Sequence, residues 1–204
     1  MPETELIRAA RNGDLEGVDD NLHEVGKQDE DGRTALMWAA VKGHTNFIPL
    51  LEREIGMQDN WGWTALMKAA SNDNIDSVRL LFSEAGKQTK EYNDFPPGTT
   101  ALMIAAHYNH SEIVRFLLPY EQGMEDSEGH TAEWYAHNSP WGGNFTQIRK
   151  LLKKEGTKRL PPSLNSELLE LRECVNELAV ENESLKRGLS SLKNAQEEAD
   201  NEPS

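Results

Sequence analysis

Histidine, cysteine and paired carboxylates carry most enzyme chemistry, so their spacing is the first thing to test. Of the six histidines, His44 and His110 stand in polar turns between helical stretches, His107 ends a helical stretch beside Tyr108, and His130 and His137 lie farther along. Their spacing offers no metal set: no His-Glu-x-x-His is present, nor a Gly-rich phosphate loop, a Gly-x-Ser-x-Gly elbow or a kinase catalytic-loop pattern. Cys174 has no histidine nearby in sequence to activate it. We therefore expect no enzyme, no cofactor and no metal. The chemistry that remains is recognition, to which large aromatic side chains such as Trp61, Trp63 and Tyr108 are suited.

What positions them is a repeat. Thr-Ala-Leu-Met-x-Ala-Ala occurs at Thr34 to Ala40, Thr64 to Ala70 and Thr100 to Ala106, with weaker copies from Thr4 and Thr131, so the marker threonines lie 30, 30, 36 and 31 residues apart. Such a period predicts a solenoid. Each Thr suits the N-cap of a short helix, and Leu36 with Ala39 and Ala40 marks a small-residue face that lets a neighbour approach closely. A second helix is predicted after each polar turn, from Phe47, Ile48, Leu50 and Leu51, from Val78, Leu80, Leu81 and Phe82, and from Ile113, Val114, Phe116, Leu117 and Leu118. Gly56, Gly86 and Gly123 then suit a left-handed C-cap.

In Asp31-Gly32-Arg33-Thr34-Ala-Leu, in Gly43-His44 and in the Leu-Leu pairs, the chain resembles the ankyrin repeat family, whose unit is a β-turn plus two helices. It departs in having Ala for the family's Pro and Met for its His. The Met-bearing variant followed by a coiled coil looks most like the expanded ankyrin-repeat families of diplomonad protozoa, some of which carry kinase domains. The resemblance implies a concave face, lined by finger turns and the ends of first helices, that contacts protein partners. Carried over, that face contains Arg33, Trp61, Trp63, His107, Tyr108 and His130, with Glu30, Asp31, Asn60, Thr99 and Glu128 in the turns and Val41, Lys42, Ser71 and Asn72 at helix ends. For Trp63 the competing expectation is that it packs under the neighbouring finger and stiffens the array.

Charge narrows the partner. The net charge is −14, and residues 1–147 hold 11 Lys/Arg against 24 Asp/Glu while 149–159 hold six against one. Nucleic acid and anionic membrane need clustered cations, so neither is expected. No apolar run has membrane-spanning length, and the lone Cys174 fits a reduced compartment; a cytoplasmic location is expected, with a cytoskeletal association as an extension of it. The basic stretch 149–159 reads as cations complementing a helix C-terminus, or as an acidic docking site.

Along the chain, Asp20-Asn21 replaces the Leu pair in the first unit, as a polar cap requires. The finger Lys87 to Thr99 is longest, and Phe95-Pro96-Pro97 should make it stiff. Unit five has Glu133 where Leu is expected, a polar residue at a core position. Pro161-Pro162 ends any helix, and from there a heptad takes over: Leu164, Leu171, Leu178, Leu185 and Leu192 at d, Leu168, Val175, Asn182 and Leu189 at a. Asn182 at one a position, with Glu167 to Arg172 and Glu181 to Lys186 as cross-strand pairs, predicts a parallel homodimer. The reading is an all-α fold: an ankyrin-repeat solenoid of about five helix-turn-helix units at 1–156, a linker at 157–163, a leucine-zipper-like coiled coil at 164–199 and a disordered tail at 200–204. Its expected function is a non-catalytic protein-interaction adaptor or scaffold. The alternative is a regulatory ankyrin module acting in trans on a protein kinase.

Overall fold

The computed structural model describes residues 3–141 and 143–153. The heptad positions Leu164 to Leu192, the linker and the tail lie outside the described residues. Among the described residues there are nine α-helices, four 3₁₀ segments and no strand. The first helices of the five units are α1 (Glu5–Asn12), α3 (Ala35–Lys42), α4 (Ala65–Ser71), α6 (Ala101–His107) and α8 (Ala132–Asn138). They pack side by side in that order.

Local chemistry sets where they start. Thr4, Thr34, Thr64 and Thr100 each accept, through Oγ1, the backbone N–H of the residue three positions on, so one orphan donor of the first turn is satisfied in each. Thr131 makes no such bond. Where the first helices end, the chain turns left-handed at Gly13, Gly43, Asp73 and Asn109, the last two at φ of 57° and 65° without the freedom of glycine. The next polar residue then reaches back to the preceding unit. Asn74 Nδ2 donates to Ala40 O and Val41 O at 2.8 and 3.0 Å, and His110 Nε2 lies 3.3 Å from Ser71 O. These side chains satisfy helix-end carbonyls of their neighbours, which gives His110 a structural task.

The second layer is less uniform than its apolar pattern predicts. It consists of α2 (Leu15–Asp20) with a 3₁₀ turn at Leu22–Glu24, the 3₁₀ segments Thr45–Phe47 and Pro49–Glu54, α5 (Ile75–Leu80) with Phe82–Glu84, α7 (Ser111–Glu121) and α9 (Thr146–Leu152). The second helix expected in unit two is thus a correction. Pro49 cannot donate to Thr45 O and its ring would crowd that carbonyl, so the segment tightens into 3₁₀ turns with a break at Leu51. Phe47, Ile48 and Leu51 are buried all the same. Leu36, Leu66 and Leu102 are wholly buried between the layers, each worth about 2 kcal/mol of transfer free energy.

A row of glutamates stitches the units together. Glu54 accepts the Leu36 N–H of its own unit at 2.7 Å and the Gly26 N–H of the preceding unit at 2.9 Å; Glu84 does the same with Leu66 and Gly56, and Glu121 with Leu102 and Gly86. Burial pushes these three carboxyls above the usual carboxylate range, against the pull of the backbone donors. Glu24, in the first unit, accepts only Leu6 N–H from the backbone, and that bond holds its carboxyl below the usual range.

The ends differ from the middle. In the second segment of unit one only Val18 is buried, and Asp19 and Asp20 face water. In unit five, Glu133 is not a core residue as expected: its side chain is 41% exposed, near His137, and Ala132, Tyr135 and Ala136 form the buried face of α8 instead. Arg149 Nε, from the basic stretch, donates to Ala136 O at 3.1 Å near the end of α8, the capping role that cations at a helix C-terminus can serve.

Candidate protein-binding face

Each finger is a small hairpin built on one residue. Asp29 accepts the N–H groups of Asp31 and Arg33, Asp59 those of Trp61 and Trp63, and Asp126 those of Glu128 and His130. Adjacent fingers are bonded to each other, Asn60 N–H to Asp31 O at 3.0 Å, Lys90 N–H to Trp61 O at 2.9 Å and Ser127 N–H to Pro97 O at 2.7 Å. That close approach explains Gly62, where φ is +86° and a Cβ would collide with the backbone nitrogen of Lys90.

The second carboxylate oxygen of each finger Asp faces a donor from the variable position of the heptapeptide. Trp38 Nε1 lies 3.3 Å from Asp29 Oδ2, Lys68 Nζ 2.8 Å from Asp59 Oδ2, and Tyr135 Oη donates to Asp126 Oδ2 at 2.6 Å. In unit four, Thr89 replaces the Asp and Ile104 replaces the donor. Thr89 Oγ1 accepts Thr99 N–H and donates to Pro96 O, so the longer finger closes without a carboxylate. Burial lowers the affinity of Lys68 for its proton, opposed by Asp59, whose side chain has no exposed surface.

Above these anchors runs a band of rings and cations. Arg11 and Arg33 lie 5.4 and 5.3 Å from the Trp38 ring, Arg33 also 5.8 Å from Trp61, and Lys68 4.4 Å from Trp63. The long finger folds Phe95 into the middle of the band. Phe95 is 3% exposed, with ring centroids of Trp63, His107, Tyr108 and Tyr135 at 5.7, 5.0, 6.2 and 5.8 Å. Farther along, His130 stacks on Trp134 at 3.5 Å, and Trp141 reaches Tyr108 at 5.7 Å.

The residues expected on this face are therefore in different states. Trp61, Tyr108, Arg33, His107 and His130 are half-buried, with part of each surface in water. Trp63, at 5% exposure, lies edge-on against Phe95 of the next finger, and Thr99 is fully buried. Burial keeps His107 neutral by lowering its pKa from the ordinary value. Trp38, Phe95, Trp134 and Tyr135 belong to the same band and were not expected there. For Trp38 and Tyr135 the signal is the nine-residue step from Asp29 to Trp38, repeated from Asp59 to Lys68 and from Asp126 to Tyr135; Phe95 and Trp134 have no such mark in the sequence.

Among the described residues, no group of three His, Cys, Asp or Glu side chains is placed to hold a metal ion, and no helix is long and apolar enough to cross a membrane. No curated protein matches the chain. The family model for ankyrin repeats, in three copies, matches residues 6–94 and 85–159, which is most of the chain. With the capped first helices, hairpin fingers and two packed layers that those residues form, the match places this chain in the ankyrin repeat family.

Proposed function

We propose that the chain is a non-catalytic adaptor or scaffold that holds a protein partner on its inner face and pairs with a second copy through residues 164–199. Ankyrin repeats generally mediate protein–protein interaction, and the family is typically non-catalytic. The observation that carries the reading is the mounting of Trp61 and Tyr108. Both are half-buried: Tyr108 lies against the nearly buried Phe95, itself edge-on to the nearly buried Trp63, and Trp61 lies against Arg33, so these partly exposed rings are firmly mounted. Rigid, partly exposed aromatics lose little entropy on binding and make good hot spots. Arg33 lies beside Trp61 and His107 beside Tyr108, and His130 continues the band against Trp134.

Capture of partners from a lysate by the full chain, compared with the Trp61→Ala/Tyr108→Ala variant, tests this. Binding of a protein should fall at least about tenfold at constant helicity and melting temperature. Undiminished binding would sink the inner-face reading. The dimer rests on the heptad of Leu164 to Leu192 and on Asn182, which fixes register in a two-stranded coil. Light scattering should give twice the chain mass for the full chain and a monomer after truncation at residue 156. A monomeric full chain would remove the coil from the assembly.

A further inference from the structure

A cleft of about 200 Å³ opens beside the band, between the long finger and unit five. Phe95 and Tyr135 are nearly fully buried in its lining, Tyr92 and Trp134 are 64% and 41% exposed, and the exposed carboxylates of Asp94 and Glu128 complete the wall. We propose that this cleft receives a cationic side chain, lysine or arginine, from the segment of partner bound on the inner face. The proposal rests on the adaptor reading above and names the chemistry of what enters.

Three features of the lining lead there. Among the described residues no lysine or arginine lines the cleft; Lys68 acts on Asp94 only from outside it, and Glu128 accepts Tyr92 Oη at 3.2 Å, so neither carboxylate is ion-paired to a lysine or arginine within the cleft. Asp126 adds a third negative group behind the wall, with its carboxylate already accepting Tyr135 Oη. Of the two histidines present, His107 is held neutral by burial, and His130 is turned toward Asp126 and Glu128, its Nδ1 3.4 and 3.6 Å from them. The walls are aromatic. A cation against tyrosine and tryptophan faces gains from their quadrupoles, and the poorly hydrated floor of Phe95 and Tyr135 strengthens that attraction over its value in open water. The apolar stem of a lysine or arginine suits the same surface while its head meets the carboxylates. An acidic or phosphorylated side chain would meet repulsion from Asp94 and Glu128.

The test follows the Trp134 indole N–H by NMR in the full chain, assigned with Trp134→Phe. N-acetyl-lysine methylamide and N-acetyl-arginine methylamide are titrated beside N-acetyl-norleucine methylamide, which keeps the stem and lacks the charge. At least one cationic probe should shift the indole saturably, with the norleucine probe at least about tenfold weaker. Asp94→Asn with Glu128→Gln, both at exposed positions, should weaken the cationic probes by about tenfold and leave the far-ultraviolet signal unchanged. Equal binding of the norleucine probe would overturn the proposal in favour of an apolar occupant. Absence of a saturable shift with either cation, or no effect of the double variant, would also overturn it. Neither Trp61 nor Tyr108 lines the cleft. Cation binding that survives while capture ignores those two residues would defeat the inner-face reading alone; intact capture without cation binding would defeat the cleft alone.

Discussion

Units three and four hold the same kind of finger by opposite means. In unit three a buried carboxylate, Asp59, takes two backbone N–H groups and the Lys68 ammonium, and Lys68 in turn lies against Trp63. In unit four the corresponding pair is Thr89 and Ile104, and an inserted hairpin brings Phe95 down among four rings. A charged anchor demands its partner, because either group alone would be left ionised and poorly hydrated. An apolar plug demands only volume. The carboxylate is kept with three different donors, Trp38, Lys68 and Tyr135, and only in unit four, where the insertion occurs, are carboxylate and donor lost together.

Removing the plug should have the largest effect. Phe95→Ala opens a void under Trp63, His107, Tyr108 and Tyr135 and should cost about 3 kcal/mol in thermal unfolding, with loss of near-ultraviolet aromatic signal. A loss below ~1 kcal/mol would mean that the hairpin is not packed as described.

Next is the charged anchor. Lys68→Ile leaves Asp59 unpaired and should cost about 2–3 kcal/mol, discounted because Lys68 is partly exposed. Adding Asp59→Thr, which recreates the pair of unit four, should recover at least ~1 kcal/mol of that loss in a double-mutant cycle. Strict additivity would break the comparison.

Glu84→Ala strands the N–H groups of Gly56 and Leu66 and should cost about 2 kcal/mol. Its pH dependence has a definite sign. Burial raises the folded pKa of Glu84, so the advantage of the native protein over the variant is full below the ordinary carboxylate pKa and declines as pH rises through the raised value. Glu24→Ala should behave in the opposite way, because the Leu6 N–H lowers its pKa: the advantage is present above the ordinary value and is lost in acid. Parallel pH profiles for the two variants would contradict these environments.

The smallest effect concerns the left-handed turn. Asn109→Gly puts into unit four the residue that units one and two carry at this turn, and should stabilise by about 0.5 kcal/mol.

What could be read from sequence followed the reach of each interaction. The threonine caps were legible because donor and acceptor lie three residues apart, and the glycine turns because φ is a local property. The glutamate row was not. Leu36 and Glu54 are 18 residues apart and Gly26 and Glu54 are 28 apart, so nothing near Glu54 marks it as buried. The face of the site was partly legible: Trp61 and Tyr108 follow from register, whereas Phe95 reads in sequence only as part of a stiff finger. Pro49 carried its own warning, masked by the apolar run on both sides of it.

The repeat length, the first-helix boundaries and the balance of charge were determined by sequence alone, since each depends on periodicity, local capping or composition. Tertiary structure decided which side chains share a surface. Phe95 is buried because the inserted hairpin meets the finger of unit three and the first helices of units four and five, and Glu133 is half-exposed because α8 buries Ala132, Tyr135 and Ala136 instead. Burial depends on where neighbouring units lie, and that placement is a sum over contacts that no short stretch of sequence contains.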